Sequence, residues 1–150
     1  YKVKHYIIRL PWYAKFKGSL TQAAKKLPAV DEQELDIISR ARESAARVWV
    51  PARNTVFLSI AAGYCENFAF NTIVAGFDAE EAATFPDNSA PFVSSFNALL
   101  KYAARRQIKI IAPLLEMDKA EIAALGLKIK APLEWSWSCY TSQRKPCGKC

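Results

Sequence analysis

The chain has 150 residues, 51% of them apolar, and 21 Lys and Arg against 14 Asp and Glu give it a formal net charge of +7. That is enough apolar material for one sizeable core, and there is no run of about eighteen apolar residues to span a bilayer, so one domain or most of one is expected, without a membrane partner. The charge favours anionic partners without choosing among them, and four cysteines with no targeting segment fit a cytoplasmic chain better than a secreted disulfide scaffold.

Val3 to Leu10 is rich in Val, Ile and Tyr and stops at Pro11, which predicts a strand. His5 within it reads as a packed or edge histidine. Residues 11 to 30, with Lys15, Lys17, Lys25 and Lys26 around Gly18-Ser19-Leu20-Thr21, read as an irregular basic connection. Asp31 and Glu34 have the spacing of a capping box, and Leu35, Ile37, Ile38, Ala41 and Ala45 carry a helix to about Ala46.

Pro51 forces an extended approach to a second helix, over Thr55 to Phe68, which Asn54 is placed to cap. Phe57, Ile60, Ala61, Tyr64, Cys65 and Phe68 form its predicted buried face, so Cys65 reads as a small core residue rather than a metal ligand. Arg53 and Asn54 stand where a helix N-terminus presents unpaired N–H groups and partial positive charge, which attract phosphate. An anion-binding loop and an ordinary capped helix with a surface Arg both satisfy this stretch.

Asn71 to Gly76 predicts a short buried strand. The order helix, strand, helix, strand indicates an α/β fold with a parallel sheet. The connection from Phe77 to Ser89, carrying Glu80, Glu81 and Asp87, is long and acidic in a basic protein. It lies at the carboxyl end of the strand, where open α/β sheets bind ligands, and its length, beyond the usual αβ connection, favours a functional loop over a solvated acidic one. A helix from Pro91 buries Phe92, Phe96, Leu99, Leu100 and Ala103, and Ile108 to Ala112 is the next strand. Asp118 and Glu121 make another capping box, Ile122 and Leu125 face inward, and Gly126 is expected to end that helix.

Three cysteines occupy the tail. Cys147 and Cys150 form a C-x-x-C pair and Cys139 lies upstream within reach, a set of soft thiolates suited to structural zinc. The fourth ligand is then Cys65, His5, a partner's residue or one beyond this stretch. A redox pair is the competing reading, but that reading expects the motif at a helix start near an N-terminal βαβ unit.

Val50-Pro51-Ala52-Arg53-Asn54, Gly76 with Phe85-Pro86-Asp87, Pro113-Leu114 with Lys119-Ala120-Glu121-Ile122, and Trp137-Ser138-Cys139-Tyr140 before Pro146-Cys147-Gly148-Lys149-Cys150 together resemble the 7-cyano-7-deazaguanine synthase family, within the PP-loop ATP pyrophosphatases. The likeness runs from Tyr1 to Cys150 in order. It implies a Rossmann-like parallel sheet with helices on both faces, of the adenine nucleotide alpha hydrolase type, over residues 1–133, and a zinc-binding segment over 134–150. It implies a cytoplasmic, ATP-dependent ligase that acts on 7-carboxy-7-deazaguanine and ammonia in queuosine or archaeosine synthesis. ATP comes with Mg2+, the zinc is structural, a homodimer is a candidate assembly, and no direct contact with nucleic acid is expected.

By the same resemblance, Asp87 and Glu81 are the catalytic carboxylates. Arg53, Asn54 and Asp87 line the ATP and substrate pocket, and Cys139, Cys147 and Cys150 hold zinc with a fourth cysteine expected three positions past Cys150. Two features depart from the family. Its Pro-Asp-Cys-Arg motif is Pro86-Asp87-Asn88-Ser89 here, which removes an arginine. The phosphate-cradling Ser-Gly-Gly-x-Asp-Ser loop is absent from these 150 residues, so the chain by itself is expected not to hydrolyse ATP. Two other functions fit the composition: a noncatalytic basic, zinc-containing module that binds RNA or protein, and another tRNA-modifying PP-loop enzyme with direct, salt-sensitive tRNA affinity.

Overall fold

The computed structural model describes residues 3–18, 20–21, 38–139 and 144–146 of the protein. The chain divides into two compact units, Tyr1–Pro51 and Ala52–Cys150. In the first, the strand expected over Val3–Leu10 does not form: these residues carry no regular structure, and Val3 and Ile7 are exposed. A β-branched run becomes a strand only beside a ladder partner, and no strand pairs with it among the described residues. Pro11–Lys15 forms a 3-10 turn in place of an irregular connection. Trp12 stacks on Tyr13 with ring centroids 4.0 Å apart, and the edge of Phe16 closes the group. Helix α1 spans Ile38–Val48, and the Asp31 and Glu34 capping box lies outside the described residues.

The second unit runs α2 (Arg53–Asn67), β1 (Thr72–Val74), α3 (Ala79–Thr84), α4 (Ala90–Ala103), β2 (Lys109–Ile111) and α5 (Lys119–Lys128). The two strands are parallel, with Ile73 opposite Ile110 and Val74 opposite Ile111. Three-residue strands are too short to hold together by their ladder. The binding energy comes from one face, where Ile73 and Ile110 pack with Leu58 and Cys65 of α2, Val93, Phe96 and Leu100 of α4, and Ile108. Each large apolar side chain buried in this way contributes roughly 1.5–3 kcal/mol.

The buried stripe of α2 is Asn54, Leu58 and Cys65, with Ala61 and Ala62 packed beside it. It shares Ala61 and Cys65 with the expected Phe57 to Phe68 face but takes Leu58 in place of Phe57, which is 50% exposed, and Phe68 is also exposed. This helix is apolar nearly all round, so spacing alone does not fix which face turns inward. Leu99 of α4 is likewise exposed, while Val93, absent from the expected stripe, is buried.

Gly126 does not end α5. The helix continues to Lys128 and stops at Lys130, whose φ of 55° lies in the left-handed region. Gly126 is buried because Leu133 packs over it, and an added Cβ would sit 2.9 Å from Leu133 Cδ2.

Candidate functional site

Each parallel strand is followed by a connection that ends in an aspartate at a helix start, Asp78 after β1 and Asp118 after β2. Just beyond β1, Asp78 caps α3 by accepting a hydrogen bond from Glu81 N–H at 2.8 Å. Just beyond β2, Asp118 and Glu121 form the expected capping box at the start of α5, at 2.7 and 2.9 Å. The two connections are joined directly. Ala79 N–H donates to Met117 O at 3.0 Å, and Lys119 N–H donates to Glu80 Oε1 at 2.9 Å.

The Lys119 ammonium strengthens that joint. Its Nζ lies 3.3 Å from Glu80, 3.4 Å from Glu81 and 3.7 Å from Asp78. Partial burial works against the charge on Lys119, but Glu81, Glu80 and Asp78 together outweigh it and hold its pKa above the ordinary lysine value. The Lys119 backbone N–H, aided by the ammonium, holds Glu80 below the ordinary glutamate value. Lys119, Glu80 and Asp78 were not among the residues the sequence singled out for a site, although Asp78 stands three positions before Glu81, a capping spacing.

Asp87 occupies the 3-10 turn Pro86–Asn88 that leads into α4, where Ser89 Oγ caps the helix by accepting from Phe92 N–H at 3.3 Å. The Asp87 residue is only 8% exposed, and its Oδ1 has no hydrogen-bond partner among the described residues. A buried carboxylate oxygen without a donor is costly and suits a place where a ligand supplies the missing contact.

Asn54 brings α2 to this turn. Its Nδ2 donates to Asp87 O at 3.2 Å and to Asn88 Oδ1 at 3.0 Å. Asn54 therefore does not cap α2. The N-cap is Ala52, in the left-handed region at φ 54°, with no side-chain cap bond. The buried amide is drawn inward to the polar Pro86–Asn88 turn, a long-range partner that local capping preferences do not register. Arg53 is half-buried beside it in the first turn of α2.

The structure thus joins Asn54 to Asp87, and Glu81 to Lys119. In the tail, Cys139 is buried and its carbonyl accepts a hydrogen bond from Trp137 Nε1 at 2.8 Å. Cys147 and Cys150 lie outside the described residues, among which no group of three or more metal-ligating side chains occurs. Cys65 is a core residue as expected. Its Sγ donates to Thr72 O at 3.8 Å, and burial pushes the thiol pKa up, away from the thiolate a metal needs. No helix among the described residues is long and apolar enough to cross a membrane.

Parallel strands joined through helices, with carboxylates and helix N-termini near their carboxyl ends, define an open-sheet α/β protein. Residues 1–150 match the family described as "Queuosine biosynthesis protein QueC", and the chain belongs to that family. Among its relatives, the 7-cyano-7-deazaguanine synthase of Methanobrevibacter smithii is 45% identical over 146 residues, covering 97% of this chain and 64% of the relative. The synthase of Methanosphaera stadtmanae is 43% identical, covering 99% and 66%, and that of Desulforamulus reducens is 40% identical, covering 100% and 66%. The chain therefore spans about two thirds of the length of these relatives.

Proposed function

We propose that this chain is the larger part of a cytoplasmic enzyme that converts 7-carboxy-7-deazaguanine and ammonia into 7-cyano-7-deazaguanine at the expense of ATP, on the route to queuosine or archaeosine. Membership of the family and the names of the relatives support the reaction. The observation that carries the site is the buried Asp87 Oδ1 without a donor.

The chemistry asks for activation, because a carboxylate is a poor electrophile. Attack of its oxygen on the α-phosphorus of ATP expels pyrophosphate and leaves an acyl adenylate. Ammonia displaces AMP to give the amide, with loss of a proton. A second adenylation, on the amide oxygen, expels another pyrophosphate, and departure of AMP with the remaining nitrogen protons leaves the nitrile.

Within this scheme Asp87 accepts an N–H of the deazaguanine ring, which satisfies its orphaned oxygen and fixes the base. Glu81 is the second carboxylate, held by Lys119. Arg53, at the start of α2, meets phosphate oxygens with the help of the helix N-terminus. Asn54 holds the Asp87 turn and acts through it. The carboxylates are hard oxygen donors, suited to the magnesium that accompanies ATP and offsets its charge. The phosphate loop is to come from the third of the family's length outside these residues.

The tail carries a structural role. Cys139, Cys147 and Cys150 offer thiolates to a zinc ion completed by a fourth cysteine outside the chain, which anchors the segment after α5. Free substrates and a homodimer fit this assignment, and a noncatalytic RNA-binding module does not need carboxylates at the strand ends.

The test is a turnover assay of the full-length protein with the three substrates, following the nitrile by mass spectrometry. Nitrile formation that disappears in Asp87→Ala is the expected result. Near-normal turnover of Asp87→Ala would remove the residue from the site. Absence of the nitrile together with tight, steeply salt-dependent tRNA binding would favour a tRNA-modifying relative.

A further inference from the structure

Three phenylalanines step from the core toward the carboxyl end of β1. Phe96 is buried among the core residues, and Phe92, one turn earlier in α4, holds its ring centroid 5.8 Å from that of Phe96. Phe77, three positions past Val74, meets Phe92 edge to face at 6.3 Å with the ring planes 64° apart. Phe77 and Phe92 are only half-buried. A helix that joins two parallel strands runs against them, so the first turn of α4 lies at the carboxyl end of β1. Phe92 sits in that turn, its N–H donating to Ser89 Oγ, and the Pro86–Asn88 turn with the unpaired Asp87 Oδ1 leads directly into it.

Gly76, immediately before Phe77, is a glycine that the fold itself does not require. Its φ lies outside the left-handed region, so the backbone there would accept a side chain. Packing does not forbid one either: an added Cβ would meet no atom of the described residues within 4 Å, whereas at Gly126 it would strike Leu133. Glycine at such a place costs the folded chain conformational entropy and gives nothing back within the unit. What it does provide is bare backbone that a ligand can approach closely.

We propose that Gly76, Phe77 and Phe92 form an apolar floor on which the flat fused ring of the substrate lies, with Asp87 at its N–H edge. The assignment rests on the synthase reading and says where that substrate's ring is held. A deazaguanine presents two π-faces and, along the edge of its six-membered ring, N–H donors. Aromatic side chains bind such a face whatever the base, and a buried acceptor at the edge supplies the identity. The 7-carboxyl group is on the five-membered ring, on the side away from those donors. A base anchored by Asp87 therefore directs its reacting group away from Asp87, which binds and does not take part in the bond changes. Phe77 and Gly76 set affinity for the fused ring, and neither has a part in holding ATP.

The experiment uses the full-length protein and three readouts: calorimetric titration with 7-carboxy-7-deazaguanine, KM for that base and for ATP, and urea unfolding. Gly76→Ala and Phe77→Leu are each expected to weaken binding of the base and raise its KM about tenfold, with the KM for ATP changed less than about twofold. Gly76→Ala is expected to keep or gain stability, so its loss of affinity is not a folding defect. Phe77→Tyr, which keeps the ring, is expected to recover most of the affinity that Phe77→Leu loses. Wild-type protein that makes the nitrile while Gly76→Ala and Phe77→Leu bind the base unchanged overturns the floor and leaves the synthase reading standing. Equal rises in both KM values, or no recovery in Phe77→Tyr, also overturn the floor. Wild-type protein that neither binds the base nor makes the nitrile overturns both.

Discussion

The Asn54 side chain, in the first turn of α2, lies 3.2 Å from the backbone oxygen of Asp87, a residue 33 positions further along the chain. With its second bond to Asn88 Oδ1, the amide ties the N-terminal end of one helix to the turn that opens the next. The bonds restrain the Asp87 backbone and leave Oδ1 of its carboxylate unpaired. Asn54→Ala removes both bonds and leaves buried acceptors without donors, so a loss of about 1–3 kcal/mol is expected. Urea unfolding measures it, and an unchanged midpoint would mean that the amide does not hold the turn.

Asp87→Asn separates structure from function. The substitution exchanges a buried, unpaired carboxylate oxygen for a neutral amide of the same shape, so stability is expected to hold or rise. Turnover of the full-length protein is expected to fall by two orders of magnitude or more, on the order of what one lost electrostatic contact in a closed site removes. A variant that loses as much stability as Asn54→Ala while keeping its turnover would make Asp87 a structural residue.

The joint between the two strand ends has a pH signature. Glu80 is held below the ordinary value of 4.5 by the Lys119 N–H, so its contribution to stability is present above that value and is lost as pH falls through the depressed one. Lys119 is held above the ordinary 10.5. Its contribution is complete below 10.5 and is lost as pH rises through the elevated value. Glu80→Gln is expected to flatten the acid limb of the stability profile and to shrink the alkaline limb without abolishing it, since Glu81 and Asp78 still hold Lys119 up. The same acid limb in both proteins would show that the pairing contributes nothing. The side chains are partly exposed, so the effect is expected to shrink at high salt.

What the sequence disclosed about this fold depended on how local the cause was. The Asp118 and Glu121 box, the Pro91 entry to α4 and the two short strands rest on neighbouring residues, and all formed where expected. The inward face of α2 followed only in part from spacing: Ala61 and Cys65 face the core as expected, but Phe57 and Leu58 are equally apolar and only packing chooses between them. Asn54 looked like a cap because capping is the commonest local use of Asn, whereas its actual partners lie across the unit. Lys119 was hidden for the same reason: three carboxylates converge on it, but two helices must first be placed. Asp87 was singled out by family resemblance, whereas its buried oxygen, without a hydrogen-bond partner among the described residues, is something no linear pattern encodes.

The zinc proposed for the tail gives a separate prediction. Cys147→Ser in the full-length protein is expected to lower bound zinc by metal analysis and to lower the melting temperature, while leaving the packing around Ile73 and Ile110 unaltered. Loss of a structural zinc ligand removes binding energy that is also folding energy for the segment it closes. Full zinc occupancy with unchanged melting would end the structural-zinc reading, and a zinc-free protein that cycles between thiol and disulfide would support the redox one.

Two helices end without the glycine such ends favour. After α2, Phe70 N–H donates to Cys65 O at 2.8 Å around Ala69, whose φ is 61°, and after α5, Ala131 N–H donates to Gly126 O at 2.8 Å around Lys130, whose φ is 55°. Both are Schellman closures with an L residue in the left-handed position, which costs roughly 1–2 kcal/mol relative to a right-handed one. Glycine removes that strain but adds freedom to the unfolded chain, so a net gain of about 0.5–1 kcal/mol is expected for Ala69→Gly. Ala69 is exposed at the far end of α2 from Asn54, so turnover should not change. Denaturant titration gives the sign. A loss of stability would mean that the native backbone at Ala69 is not left-handed, and with it that α2 does not close through Phe70 onto Cys65.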